Sequence, residues 1–319
     1  MSRDRCIAIA SVVINLERPE DCMSDQAEKL RKIVDNLKVP ERMAETVSSA
    51  RVITVTSGKG GVGKTNVTVN LAIALSKMGL RVVILDVDFG LANIDVLFGI
   101  TTRYTLVDLI RGERNIFEVL SDGPNNIKFL SGGSGVEELL QLDRRQLGGF
   151  ISSISLLDKL YDVILIDTGA GLTKNILSFI LAADEVLLVT TPEPTAITDA
   201  YALIKMISRR DRHKIVKIVV NKADSPQEAN DVLTKLFIVS ERFLSFKLQK
   251  LGYILNDDSV IKAVKQQKPF CLSYPRSHAT RQICELAANL LDNNAEATDT
   301  VDKGIKGFLS RLFSAAGGN

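Results

Sequence analysis

The stretch SGKGGVGKTN, residues 57–66, contains four glycines and two lysines directly after the apolar run RVITVT. Gly58, Gly63, Lys64 and Thr65 satisfy the spacing G-x-x-x-x-G-K-[ST]. In that pattern backbone N–H groups surround a phosphate chain, the lysine neutralises it, and the hydroxyl coordinates Mg²⁺. The spacing therefore predicts a nucleotide-phosphate site. The second lysine, Lys59, is not needed by such a site and requires an explanation of its own.

Aspartates stand at the ends of two further apolar runs. Asp86 and Asp88 end RVVILDVD, and Asp167 ends YDVILIDT, just before Gly169 and Gly171. At a phosphate site we expect Asp86 and Asp167 in the outer shell of Mg²⁺. Asp88 could orient a water for in-line attack on the γ-phosphate. The alternative interpretation of Asp86 and Asp88 is a pair of solvated turn residues.

A third apolar run, KIVVNKAD, ends in Asn221, Lys222 and Asp224. An asparagine amide can pair with adenine, because it carries both a donor and an acceptor. The spelling N-K-x-D is also how GTPases recognise guanine, with the aspartate accepting hydrogen bonds from the base. The residues alone leave the choice between adenine and guanine open.

These candidate residues need a common scaffold. From residue 51 onwards, near-continuous apolar runs alternate with helical patterns, which predicts an α/β fold with a doubly wound, mostly parallel sheet covered by helices on both faces. Ligands of such sheets bind at the carboxyl ends of the strands, where the candidates stand. Strands are expected at RVITVTS, RVVILDVD, NIKFLSG, YDVILIDT, EVLLVTT and HKIVKIVVNKAD.

Composition limits the possible functions. The chain has 319 residues, of which 24% are charged, and a formal net charge of +2. Such a balance excludes nucleic-acid binding by the surface as a whole, so any basic patch must be local. The candidate patch is SRRDRHKIVK, and a solvated loop is the alternative interpretation. Its possible phosphate contacts are Arg209, Arg210, Arg212 and Lys214.

The cysteines and the longest apolar runs indicate the compartment. The four cysteines form no C-x-x-C pair, which fits a reduced, cytosolic environment and argues against a metal-carrier protein. No apolar run approaches the roughly 20 residues of a membrane span. The four are Cys6, Cys22, Cys271 and Cys284.

The second lysine is explained by a resemblance. The loop KGGVGKT is similar to the deviant phosphate loop of the MinD/ParA family of ATPases, in which the extra lysine, here Lys59, reaches the partner's phosphates across a dimer interface. The similarity runs from about Arg51 to Leu291 and includes the double aspartate, Asp167, TTPEPTAITDAYALIK and Asn221. It implies an ATP-dependent homodimer, with slow, dimer-dependent hydrolysis of ATP and Mg²⁺ as the cofactor.

Within the family, three segments resemble the FlhG subfamily of flagellar number and placement regulators, also called FleN or YlxH. They are DVDFGLANIDVLFG, SVIKAVKQQKPFCLSYPRS and the N-terminal DQAEKLR. The resemblance implies that Asp25, Gln26, Leu30 and Arg31 contact an FlhF-like GTPase of the signal-recognition type. A plain amphipathic helix is the alternative. A ParA-like DNA-partitioning ATPase and a MinD-like septum-site regulator are the competing functions.

Together the motifs and the resemblance predict a set of site residues. The segment LNDDSV departs from the family pattern, so base contacts by Asn256 and Asp257 stay open. Catalytic roles are expected for Lys59, Lys64 and Asp88. Nucleotide binding is expected for Gly58, Gly60, Gly61, Val62, Gly63, Lys64, Thr65, Asn66 and Asn221. Mg²⁺ is expected near Thr65, Asp86 and Asp167.

The tail carries an amphipathic pattern. Five apolar residues recur at i, i+3, i+4, i+7 and i+8, with Lys303, Lys306 and Arg311 toward the flanks. The pattern predicts a helix that lies on an anionic membrane, and a helix docked on the globular domain is the alternative. We therefore expect a cytoplasmic protein that is peripheral on the inner face of the cell membrane when ATP is bound. The five residues are Ile305, Phe308, Leu309, Leu312 and Phe313.

The expected organisation has five parts. They are a poorly ordered extension at 1–22, a partner-binding helical arm and linker at 23–50, the ATPase domain at 51–292, a linker at 293–301, and the membrane-targeting helix at 302–319.

Overall fold

The computed structural model describes residues 49–88, 93–132, 142, 144–292 and 303–316. Within these residues, eight strands form one sheet in the order β3-β4-β2-β5-β1-β6-β7-β8. All neighbouring strands are parallel except β3 and β4, which are antiparallel. The strands are β1 (Arg51–Ser57), β2 (Val82–Val87), β3 (Ser121–Asp122), β4 (Lys128–Ser131), β5 (Val163–Ala170), β6 (Glu185–Thr190), β7 (Ile215–Ala223) and β8 (Gln249–Leu255).

Helices connect the strands and cover both faces of the sheet, so the predicted doubly wound α/β fold is confirmed. The helices are α1 (Lys64–Lys77), α2 (Asn93–Phe98), α3 (Leu106–Ile110), α4 (Ile116–Val119), α5 (Arg144–Ile154), α6 (Leu157–Leu160), α7 (Lys174–Ala182), α8 (Pro194–Arg210), α9 (Pro226–Leu244), α10 (Asp258–Lys265), α11 (Phe270–Ser273), α12 (His278–Asp292) and α13 (Gly304–Ala316).

The central strands are buried on both faces, which explains their continuous apolar sequences. In β2 and β6 every residue is buried, and β1 and β5 each have one residue that is not. Helices α1 and α12 pack on one face, and α5, α7 and α13 pack on the other. The sheet therefore holds its strand ends at fixed positions, which matters because the candidate site residues stand there.

Two strands were not predicted from the sequence, the two-residue β3 and the longer β8. Residues 249–255, QKLGYIL, form β8 at the edge of the sheet beside β7. The segment is short, Gly252 interrupts its apolar pattern, and it has only one β-branched residue, Ile254. Its strand conformation therefore depends on pairing with β7 rather than on local preference.

The C-terminal helix exists, but its apolar face is not exposed. The residues predicted to face lipid pack into the protein core, where Ile305, Phe308, Leu309 and Leu312 are at most 3% exposed and Phe313 is half-buried. The Phe308 ring lies 6.1 Å from that of Phe179 on α7. The docked-helix alternative thus describes this structure. Packing against the core removes the apolar face of the helix from water, which stabilises the docked position.

Polar contacts also hold α13, at its start and in its second half. The Asp158 carboxylate accepts hydrogen bonds from the backbone N–H groups of Ile305 at 2.8 Å and Lys306 at 3.3 Å. Arg311 was predicted to face lipid headgroups. Its guanidinium instead contacts the Asp184 carboxylate at 2.8 Å and the Ala182 carbonyl at 2.7 Å.

Several predictions lie outside the described residues: the extension at 1–22, nearly all of the arm at 23–50, and the linker at 293–301. The proposed partner contacts Asp25, Gln26, Leu30 and Arg31 belong to this group. Among the residues that are described, no helix has the length and apolar character needed to cross a membrane.

The core makes a direct stability prediction. Phe129 on β4 is fully buried and meets the Phe98 ring edge-on at 5.2 Å, whereas Phe243 on α9 is 67% exposed. We expect Phe129→Ala to lower the free energy of unfolding by about 3–5 kcal/mol, because a buried cavity remains. The matched change Phe243→Ala should stay within about 0.5 kcal/mol. Urea titration of both variants measures this, and equal losses would contradict the assigned core.

Candidate nucleotide-binding site

The glycine-rich loop connects β1 to α1 and lines one side of a cleft of about 800 Å³. Gly63 begins the helix with φ of 91°, a backbone conformation that favours glycine. A Cβ atom at Gly63 would also lie 2.4 Å from Asn221 Nδ2, so a side chain has no space there. Of the predicted nucleotide-binding residues, those that line the cleft are Gly60, Gly61, Val62, Gly63, Lys64, Thr65, Asn66 and Asn221.

Gly58 has a different position from the one predicted. It is not among the residues that line the cleft, and a Cβ atom there would approach the backbone of Asp199 on α8 to 2.5 Å. The glycine is therefore required by the close packing of the loop against α8. Gly58 matches the sequence pattern of a phosphate loop, and its direct contact with nucleotide stays a prediction.

Lys64 and Asp167 form a buried ion pair at the base of the loop. The Lys64 ammonium lies 2.8 Å from Asp167 Oδ1, and the two side chains are 7% and 0% exposed. The Thr68 hydroxyl, one helical turn after Lys64, lies 2.9 Å from the same oxygen. Thr68 was not predicted as a site residue. Its position four residues after Lys64 indicates that the two side chains are neighbours on the helix.

The sheet register brings the metal-site aspartates together. Asp86 on β2 and Asp167 on β5 are direct partners in neighbouring parallel strands. Desolvation, followed by the charge of Asp167, raises the pKa of Asp86 from its ordinary value of 3.8 to about 7. Two buried carboxylates beside one lysine form a site with excess negative charge, which favours a cation.

The site fits Mg²⁺ on a further observation. Asp167 Oδ2 is buried and has no hydrogen-bond partner among the described residues. Within the same residues, no group of three or more His, Cys, Asp or Glu side chains could hold a metal alone. Mg²⁺ usually takes one or two carboxylates and completes its shell with phosphates and water. Thr65, Asp86 and Asp167 would hold such an ion, which would supply charge neutralisation to the phosphates.

Asp88 lies at the mouth of the site, beside the loop that follows β5. Its carboxylate accepts a hydrogen bond from Asn93 Nδ2 at 2.8 Å, and its backbone N–H donates to Asp86 Oδ1 at 3.1 Å. A Cβ atom at Gly169 would lie only 2.9 Å from Asp88 Oδ1. Asp88 is thus held on the cleft wall next to Gly169 of β5, and it is not a solvated turn residue.

Lys59 is held away from the cleft by its own chain. Its ammonium lies 2.8 Å from Glu193 Oε2 and 2.7 Å from Thr195 Oγ1, and it is not among the residues that line the cleft. Glu193 and Thr195 belong to the segment TTPEPTAITDAYALIK, which the sequence analysis noted without assigning these two residues. Their role could be recognised only once α8 was placed beside the loop.

At the far end of the cleft, Asn221 donates from Nδ2 to the Val62 carbonyl at 2.8 Å. Asn256 and Asp257 also line the cleft, and Asp257 in addition caps α10 through the Ser259 N–H. Asp224, which would read guanine in a GTPase, is not among the lining residues, and its carboxylate lies 3.5 Å from Asn256 Nδ2. This arrangement favours adenine over guanine.

The basic segment is smaller than the sequence indicated. Lys214 donates to the carbonyls of Leu181 and Ala183, both at 2.8 Å, and its side chain is only 7% exposed. Burial lowers its pKa, so it is a poor phosphate contact. Arg209, Arg210 and Arg212 stay exposed. The prediction for Lys214 is therefore wrong, because the lysine fastens the start of β7 to the end of α7.

Comparison with known proteins identifies the family. A family model described as ParA, NUBPL iron-transfer P-loop NTPase, matches residues 48–291. The chain belongs to the ParA/MinD family of P-loop NTPases. As a member of this family of ATPases it is an ATP-hydrolysing enzyme, as the sequence predicted. The two described cysteines, Cys271 and Cys284, are free thiols.

Individual relatives support the same assignment. The Antiactivator FleN of Pseudomonas aeruginosa is 46% identical over 230 residues, which cover 72% of this chain and 82% of that protein. The flagellum site-determining protein YlxH of Helicobacter pylori is 33% identical over 298 residues, which cover 92% of this chain and 100% of that protein. Both agree with the FlhG resemblance.

A solved structure shares the fold. The septum site-determining protein MinD of Pyrococcus horikoshii, complexed with Mg-ADP, is 28% identical with a TM-score of 0.61, over 76% of this chain and 96% of that one. The Mg-ADP in that structure agrees with the nucleotide and Mg²⁺ that we expect in this chain.

The raised pKa of Asp86 predicts a pH dependence of stability. Without Mg²⁺ and nucleotide, the folded protein keeps a proton on Asp86 between about pH 4 and pH 7 that the unfolded chain has released. The free energy of unfolding therefore falls as pH rises through this window. Asp86→Asn removes this contribution, so from pH 5 to pH 8 the variant should gain about 3 kcal/mol relative to the parent.

Urea titrations of both proteins at pH 5 and pH 8, in the presence of a chelator, measure the difference. Titrating groups that do not interact with Asp86 are common to the two proteins and cancel in the comparison. A parallel pH dependence for the parent and Asp86→Asn would contradict the assigned environment of Asp86.

Proposed function

We propose that this protein is an ATP-dependent dimerisation switch whose active site is completed by a second subunit. The observation that carries the proposal is the opposite placement of its two loop lysines. Lys64 lies inside the cleft beside Asp167, whereas Lys59 is turned out of its own cleft toward Glu193. A lysine that does not serve its own phosphates is available to those of a partner.

Each subunit would supply most of the chemistry. Lys64 and the N–H groups from Gly60 to Thr65 hold the phosphates, and Thr65, Asp86 and Asp167 hold Mg²⁺. Asp88 orients the attacking water. Lys59 of the opposite subunit adds positive charge where negative charge develops, so turnover depends on dimer formation.

The pairing of Lys59 with Glu193 fits the resting state of such a switch. Both side chains are solvent-exposed, at 37% and 64%, so the ion pair is weak and easily exchanged. Lys59 can leave Glu193 for the partner's phosphates without the loss of a buried contact. A slow hydrolysis step then sets the lifetime of the dimer.

Substitution of Asp88 tests the assignment. We expect Asp88→Ala to bind ATP within about threefold of the parent and to hydrolyse it at least about 100-fold more slowly, because water positioning is lost. The ATP-bound dimer should then persist in size-exclusion chromatography with light scattering. Asp231→Ala, on the exposed face of α9, is the matched control. An Asp88→Ala protein with parental turnover would refute this role.

The biological output that we propose is the control of flagellar number or placement. It is supported by the names of the two relatives, an antiactivator and a flagellum site-determining protein. An FlhF-like GTPase is the proposed partner, through Asp25, Gln26, Leu30 and Arg31, and this rests on the sequence alone. A peptide of residues 23–38 that failed to stimulate the cognate GTPase would remove that support.

Flagellar counts in a deletion strain, complemented with the parent or Asp88→Ala, test the output itself. Altered counts or positions restored only by the parent support it. Normal flagella with defective division or plasmid loss would instead favour a septum-site or DNA-partitioning role. The partitioning alternative is weakened by the burial of Lys214 in the basic segment.

Reversible membrane binding through α13 is also part of the proposal, and the structure changes its mechanism. Insertion requires α13 to leave the core first, exposing side chains that each contribute about 1.5–3 kcal/mol when buried. A lipid surface offers the same side chains an apolar environment again, whereas the contacts that Asp158 and Arg311 make in the docked state would be lost. Dimerisation can shift this balance, since two linked tails bind with higher avidity than one.

Liposome co-sedimentation tests the coupling. We expect the protein to pellet with anionic vesicles in the presence of a non-hydrolysable ATP analogue and to stay in the supernatant with ADP. Phe308 is buried in the core, so substitution there would confuse lipid binding with folding. The exposed Lys306 is the better target, and Lys306→Glu should weaken vesicle binding about 30-fold, because the reversal changes the charge by two units at about 1 kcal/mol each.

Lys262→Glu, on exposed α10, changes the net charge equally and serves as the control. Equal pelleting in both nucleotide states would refute the coupling. No pelleting in either state would leave α13 as a purely structural helix.

A further inference from the structure

Two successive residues at the carboxyl end of β7 hold two successive carbonyls of the glycine-rich loop. Lys222 Nζ donates to the Gly61 carbonyl at 2.7 Å, and Asn221 Nδ2 donates to the Val62 carbonyl at 2.8 Å. Lys222 adopts φ of 58°, in the left-handed region that long side chains rarely occupy. Such a conformation persists where surrounding contacts maintain it, and it directs Lys222 toward the loop.

The orientation of these carbonyls decides whether the loop can bind phosphate. The loop binds anions through N–H groups that point inward, and a carbonyl turned inward would repel the phosphate oxygens. Gly61 has φ of 78°, and a Cβ atom placed there would meet nothing within 4 Å. Side-chain packing around Gly61 therefore does not fix this peptide, whereas the Lys222 ammonium holds its carbonyl directly.

We propose that Lys222 is a positioning residue, which fixes the Gly61 carbonyl outward and so keeps the loop N–H groups directed at the phosphates. The proposal rests on the proposed function only in that the cleft binds nucleotide phosphates. It gives the dipeptide Asn221-Lys222 a role at the loop that is separate from recognition of the base. The two roles differ in one observable respect, because only the loop role affects a ligand that has no base.

The charge of Lys222 by itself is a competing explanation, and the cleft provides a control for it. Lys265 on α10 also lines the cleft and is exposed, as Lys222 is. Lys265→Met and Lys222→Met remove the same charge from the same cleft, but only the second removes the contact with Gly61. Lys222→Arg keeps both the charge and a hydrogen-bond donor.

The experiment measures the affinity of the full-length parent and the three variants for ATP, for GTP and for inorganic triphosphate, by displacement of a fluorescent nucleotide. Lys222→Met should weaken the binding of all three ligands by the same factor, about tenfold, which is the effect of one charge-assisted hydrogen bond. Lys222→Arg should restore binding to within about threefold of the parent. Lys265→Met should stay within about twofold.

Three results would overturn the proposal. Lys222→Met could weaken ATP binding while triphosphate binding is unchanged, or could weaken ATP and GTP binding by different factors, and either result would assign the residue to the base. Lys265→Met could match Lys222→Met, which would leave only the charge. All variants could bind as the parent does. Because these are binding measurements, the absence of dimer-dependent turnover would refute the proposed function without affecting this result.

Discussion

The burial of two carboxylates beside one lysine is the constraint on which the site depends. The register of β2 and β5 places Asp86 next to Asp167, and the start of α1 places Lys64 against Asp167. One positive charge does not balance two negative ones in this site. Desolvation raises the pKa of Asp86 to about 7, and the charge of Asp167 adds to the shift. A divalent cation held by Thr65, Asp86 and Asp167 would supply the missing positive charge. Lys64 would then be available to a phosphate, so the same side chains would serve both nucleotide and metal.

The rest of the molecule is arranged around these strand ends. The carboxyl end of β7 holds the glycine-rich loop through its carbonyls, and the start of α8 holds Lys59 outside the cleft. On the other face, a small cavity of about 30 Å³ is bordered by Asp86 and by Ile305, Phe308 and Leu309 of α13. The nucleotide site and the C-terminal helix thus share the wall formed by β2. A change around Asp86 is in a position to affect the docking of α13.

Much of this arrangement could be predicted from the sequence. The apolar strands, the phosphate loop and the aspartates at strand ends are local patterns, since each follows from a few neighbouring residues. Contacts between distant segments could not be predicted in the same way. Glu193, Thr195 and Lys222 reach the loop only because the sheet order places β6 and β7 next to β1 and aligns their carboxyl ends with it. In the same way, β8 forms only by pairing with β7.

The C-terminal helix illustrates a different limit. The spacing of Ile305, Phe308 and Leu312 correctly predicts a helix with one apolar face. Amphipathic periodicity does not distinguish a lipid surface from a protein core, because both are apolar. The contacts of Asp158 at the start of α13 and of Arg311 in its second half identify the docked state, and these depend on the tertiary structure.

The central claim is that two subunits complete one active site, and the turnover of ATP per subunit as a function of protein concentration tests it most directly. The account predicts that this rate rises with concentration and then reaches a plateau as dimers form. It also predicts that Lys59→Ala, which leaves Lys64 and its cleft intact, stays inactive at every concentration while still binding ATP. A rate per subunit that is constant over a hundredfold dilution, or a Lys59→Ala protein with parental turnover, would contradict it.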